Sequence, residues 1–143
     1  MLAIHSLAAA LPVAQPDDAG ARLLLFGIRQ IGANGLADAA AAHAFVSAFG
    51  RSFRRPLLLL RTLMGEISTH SAGPIPIAPW CCPRMTAAEA TLVAAIARAP
   101  ENPRGAAVLL ADLLGVREAG GTAATAALLG QAFADAGLPL PEA

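Results

Sequence analysis

The sequence predicts an all-α fold: a compact, irregular bundle of five or six short helices with one long extended Pro-rich loop at about 69–85. Three observations lead there. Alanine supplies 36 of the 143 residues, leucine is abundant, tyrosine is absent and β-branched residues are few, which are helix-forming choices. Apolar residues recur at helical spacing in several segments. Those segments are bounded by residues that start and stop helices. The length fits one domain, assigned to 17–143, behind a flexible N-terminal tail at 1–16.

The first helix is predicted to start after Asp17-Asp18, acids that suit a helix N-terminus. Leu23, Leu24, Gly27, Ile28 and Ile31 form its apolar stripe, with Arg22 and Arg29 placed on the opposite side. Asn34-Gly35 stops it. The second covers about 36–49, with Phe45, Val46 and Phe49 as its buried face and Gly50 as its end. Pro56 fits the first turn of the third, which runs to about Ser68. There Leu57, Leu60, Met64 and Ile67 share a face that Leu58 and Leu59 widen, making this the helix expected to be most buried.

Prolines 74, 76, 79 and 83 impose an extended backbone on the next segment. A structureless stretch of this length inside a small domain tends to be functional. The fourth helix follows at about 87–99, with Leu92, Val93 and Ile96 inward. The fifth opens with Asn102 as cap and Pro103 as first helical residue, and ends at Gly115. The sixth covers about 117–136, or starts nearer Thr122 because Gly120-Gly121 is a weak opening, and ends at Gly137.

All ten basic residues are arginine, so no lysine is present for Schiff-base or general-base chemistry. Net charge is zero but unevenly spread. Residues 19–85 carry seven arginines against two acids, and residues 86–143 carry three against six. Opposed charges predict that the halves pack together or that copies associate, and a homodimer is expected. They argue against nucleic-acid binding, which favours an overall basic chain. No membrane span is expected. The uncharged run 67–83 is broken by prolines, and 119–134 is shorter than the roughly 20 residues a span needs. The apolar leader lacks a preceding basic residue, so a secretory signal is not expected. Two adjacent cysteines without a spaced framework fit a cytoplasmic protein.

Reactive chemistry concentrates in Ala78-Pro-Trp-Cys-Cys-Pro-Arg-Met-Thr-Ala-Ala-Glu89. Thr86 and Glu89 form a capping-box pattern, which places both thiols just before a helix start, where the dipole favours anions. Cys81 and Cys82 are candidates for a thiol-redox pair, or for a zinc or iron site completed by His70 and His43. Adjacent cysteines chelate less easily than the usual spacing of two to four, and a disulfide between them is strained and readily reduced. The structural alternative is that both pack as small buried residues beside Trp80.

Arg51, Arg54 and Arg55 crowd the start of the third helix, where the dipole disfavours cations. With Arg84 at another helix start and Trp80, they are candidates for binding a small anionic ligand or an acidic protein. The alternatives are a solvated face or ion pairs with the acidic C-terminal half. Glu66 is expected to pair with an arginine. His43 is expected to be partly buried and hydrogen-bonded.

Glycine-rich phosphate loops, H-E-x-x-H, G-x-S-x-G and paired cysteine ribbons are all missing from the sequence. A Cys–His nucleophile pairing Cys81 or Cys82 with His70 stays open in principle. Four motifs, Arg22-Leu-Leu-Leu-Phe26, Phe53-Arg-Arg-Pro-Leu57, Cys81-Cys-Pro-Arg-Met-Thr86 and Leu113-Leu-Gly-Val116, resemble a family of short bacterial proteins known only as a domain of unknown function. The resemblance covers most of the chain from about residue 21. It implies a third cysteine before the pair in related chains, where this one has Trp80, and that counts against an obligatory three-cysteine metal site. It implies no activity. The reading is a non-enzymatic binding or regulatory module acting as a homo-oligomer; the rival is a small thiol-redox or metal protein using Cys81-Cys82.

Overall fold

The computed structural model describes residues 11–142. Six α-helices and a two-stranded antiparallel ladder follow in order. The elements are β1 (Val13–Ala14), α1 (Ala19–Asn34), α2 (Ala39–Phe49), a 3-10 turn at Gly50–Ser52, α3 (Arg54–His70), β2 (Arg84–Met85), α4 (Ala87–Arg98), α5 (Pro103–Leu114) and α6 (Gly120–Asp135). The helical architecture is the one the composition predicts.

Helix ends follow local chemistry. Asp18 and Asp38 cap α1 and α2 through carboxylate bonds to the amides of Ala21, 2.9 Å away, and Ala41, 2.8 Å away. Asn102 caps α5 at the amide of Gly105, with Pro103 opening the helix. Gly115 then terminates α5 at φ +69°, a left-handed conformation that glycine adopts at little cost. α6 starts at Gly120, whose amide is held by the Glu118 carboxylate.

α4, α5 and α6 pack against one another, α6 also lies along α3, and α1 packs on α2, α3 and α4. Phe45 and Phe49 of α2 meet Phe133 of α6 edge to face, with ring centroids 5.1–5.8 Å apart. Close helix approach depends on Gly27. A Cβ there would lie 2.6 Å from Leu60 Cδ2 and 3.1 Å from Phe45 Cε1.

Several faces differ from expectation. Leu58 is 64% exposed, so it does not widen the buried face of α3, and α1 and α6 are the more deeply buried helices. Val46 points to solvent while Ala41 joins Phe45 and Phe49 inside. α3 is bordered by helices on part of its surface only, and a run of four leucines on a helix must send at least one outward. The first ten residues of the predicted tail lie outside the described residues. Residues 11–15 are not free: Val13 pairs with Met85, Ala14 pairs with Arg84, and the Gln15 amide donates to the Pro83 carbonyl at 2.9 Å. Leu11 is buried.

Candidate functional site: a clamped cysteine turn

The site grows from the start of α4. Thr86 and Glu89 make the predicted capping box: the Glu89 amide donates to Thr86 Oγ1 at 3.0 Å, and the Thr86 amide donates to Glu89 Oε1 at 2.9 Å. Glu89 does more than cap. Its Oε2 accepts the Ala78 amide at 3.0 Å, tying down the loop eleven residues upstream. Thr86 Oγ1 donates to the Pro76 carbonyl at 2.8 Å.

The positive partner comes from α1. Arg29 Nε donates to Glu89 Oε2 at 2.8 Å and its Nη2 donates to Oε1 at 3.1 Å, a two-point contact between side chains about 1% and 0% exposed. The same guanidinium donates from Nη1 to the Cys82 carbonyl and from Nη2 to the Arg84 carbonyl, each at 2.8 Å. Burying two charges is costly, and it is tolerated where geometry is good and the remaining donors and acceptors are satisfied. Here the carboxylate receives two guanidinium and two backbone bonds. Arg29, expected on the side opposite the apolar stripe, is instead buried against α4 and the loop. It is the largest fully buried side chain among the described residues.

The turn that carries the thiols hangs from these anchors. Trp80 and Cys81 occupy its middle, and the Cys82 amide closes it on the Pro79 carbonyl at 3.0 Å. Trp80 is 63% exposed, Cys81 is exposed and Cys82 half-buried, and both thiols are free. Cys81 is thus not a small buried residue beside Trp80, and Cys82 is only partly so. Ala78 and Met85, on either side, are buried.

The other predicted residues are dispersed. Arg84 is exposed and turned toward the N-terminal segment: its Nε and Nη2 donate to the Leu11 and Pro12 carbonyls at 2.8 and 2.9 Å. His70 sits exposed in the last turn of α3. Among the described residues no three His, Cys, Asp or Glu side chains come together to hold a metal ion, so His70 and His43 do not complete a ligand set with the cysteines. His43 is exposed rather than partly buried. Glu66 does not find the expected arginine; its Oε1 is buried without a hydrogen-bond partner, as is Arg61 Nε on the same helix.

Arg51, Arg54 and Arg55 do converge. They line a depression of about 350 Å³ together with Ser52, Pro56 and Asp135. Phe53, ahead of α3, supplies no side-chain cap, and the Arg54 guanidinium lies 5.9 Å from its ring centroid. The acidic half reaches this place through Asp135, yet Arg29–Glu89 is the one ion pair among the described residues. A second, charge-free cavity of about 750 Å³ lies between α1, α3 and the loop, with Ile28, Met64, Ile75 and Ile77 in its walls.

No helix among the described residues is long and apolar enough to cross a membrane. Comparison with protein-family models, curated proteins and solved structures returned no match.

Proposed function

We propose that the chain is a non-enzymatic binding module acting as a homodimer, with the 71–86 loop as its recognition element. The observation that carries this reading is the pairing of a fixed backbone with an exposed aromatic. Arg29 and Glu89 hold the loop from inside the core, and Trp80 stands out from the held segment. Preorganisation lowers the ordering cost of binding, and an exposed tryptophan on a rigid support is the usual form of an interface anchor. Opposed charges in the two halves of the chain add support for association between copies. The arginine depression offers a second contact for an acidic surface or a small anion.

Sedimentation velocity at micromolar protein tests the dimer. The expected result is a dimer in the parent chain and a monomer in Trp80→Ala. A parent chain that is monomeric throughout removes the homodimer reading.

Two adjacent free thiols, one of them exposed, favour a second reading as a thiol-redox protein using Cys81 and Cys82. Zinc or iron binding has weaker support, because His70 and His43 do not join the pair.

A further inference from the structure

The two cysteines sit at a mechanically defined place. The peptide between them belongs to a closed turn, through the Cys82 amide and the Pro79 carbonyl. The next carbonyl, of Cys82, is held by Arg29 Nη1. The backbone is fixed again at Ala78 and Arg84. Joining neighbouring cysteines closes a small ring through the very peptide whose amide closes the turn, and such a ring strains ordinary disulfide geometry. The ring and the clamp thus share one backbone: the peptide that would close the ring carries the amide that closes the turn, and the next carbonyl is the one Arg29 holds.

We propose that Cys81-Cys82 is a thiol–disulfide exchange site for low-molecular-weight disulfides, and that closing its internal disulfide releases the turn from Arg29. The inference rests on the thiol reading above and adds its co-reactant and its structural consequence. Cys81, the exposed thiol, enters first. Its proton goes to solvent and its thiolate attacks one sulfur of the external disulfide. A Cys81–S bond forms, the external S–S bond breaks, and one thiolate leaves to be protonated. Cys82 loses its proton and attacks Cys81 Sγ, forming the internal disulfide and expelling the second external thiol. Two protein thiols are oxidised by two electrons, and one external disulfide is reduced to two thiols.

The strain makes this disulfide easily reversed by thiols, as expected of a regulatory bond rather than a structural one. Closure changes the presentation of Trp80, which lies inside the same turn. The site is thus suited to switching the loop between a held and a released form.

Treatment of the full chain with bis(2-hydroxyethyl) disulfide, followed by intact mass and Trp80 fluorescence, tests the proposal. The parent chain is expected to lose the mass of two hydrogens, to change its fluorescence and to recover both with dithiothreitol. Cys82→Ser is expected to stop at a mixed disulfide on Cys81 without the same fluorescence change. Cys81→Ser is expected to react about tenfold more slowly, because only the half-buried thiol remains. A parent chain that stays unmodified, or that accumulates a stable mixed disulfide, overturns the exchange site. Closure without a fluorescence change that is absent from Cys82→Ser overturns the coupling to the turn. Sedimentation separates this from the binding reading, since a monomer that still exchanges refutes only the dimer.

Discussion

Arg29 Nε lies 2.8 Å from Glu89 Oε2 across sixty residues of sequence, and around this pair α1, the Pro-rich loop and α4 are joined. Either residue alone in this position is an unpaired buried charge. Arg29→Met strands Glu89 and removes donors from the Cys82 and Arg84 carbonyls together. Breaking one side of a buried pair costs roughly 3–5 kcal/mol. Urea denaturation of Arg29→Met is expected to show a loss of that size; a loss comparable with an exposed arginine substitution contradicts the clamp.

Two glycines provide an internal contrast. Gly27→Ala puts a methyl group 2.6 Å from Leu60 Cδ2 and is expected to destabilise by about 1–3 kcal/mol through overpacking. Gly65→Ala meets only Leu36 Cδ1, at 3.7 Å, and is expected to stabilise by roughly 0.5–1 kcal/mol from helix propensity. Thermal or urea unfolding of both variants reads the sign directly. Equal effects at the two positions would mean that α1 and α3 do not approach as described.

The arginine depression yields a prediction about stability and binding together. Arg54 and Arg55 are exposed in the first turn of α3 without an ion-pair partner. Arg54→Glu is therefore expected to leave the fold intact and raise stability by about 0.3–1 kcal/mol at low salt, since it replaces an unfavourable dipole contact with a favourable one. A marked loss of stability would reveal a native ion pair. Arg54→Ala with Arg55→Ala is expected to weaken retention on an acidic matrix while far-ultraviolet circular dichroism stays unchanged.

The helices were legible because their ends are written locally. Asp18, Asp38, Asn102-Pro103, Gly35, Gly50, Gly115 and Gly137 mark boundaries by short-range chemistry that a sequence states outright. The Thr86–Glu89 capping box was legible for the same reason. Arg29 was not, because helical periodicity sorts residues by hydrophobicity and a buried charge imitates an exposed one. A signal was present: Arg29 stands four residues after Leu25 and three before Gly32, on one flank of the apolar stripe, in a stretch of chain short of acids. The course of the loop was beyond reach. It is set by side chains that reach backbone groups ten and eleven residues away, from Thr86 and Glu89, and more than fifty residues away, from Arg29, and no local propensity encodes that.

Amide hydrogen exchange at Ala78 and Thr86 tests the held loop most directly. Both N–H groups donate to the Glu89 carboxylate from within a segment that is otherwise irregular. In the parent chain they are expected to exchange as slowly as amides in the core of α5, and in Glu89→Ala, which removes both acceptor oxygens, to exchange much faster while α5 keeps its protection. Fast exchange at Ala78 and Thr86 in the parent chain would contradict a loop held by Arg29 and Glu89, and with it the preorganised presentation of Trp80.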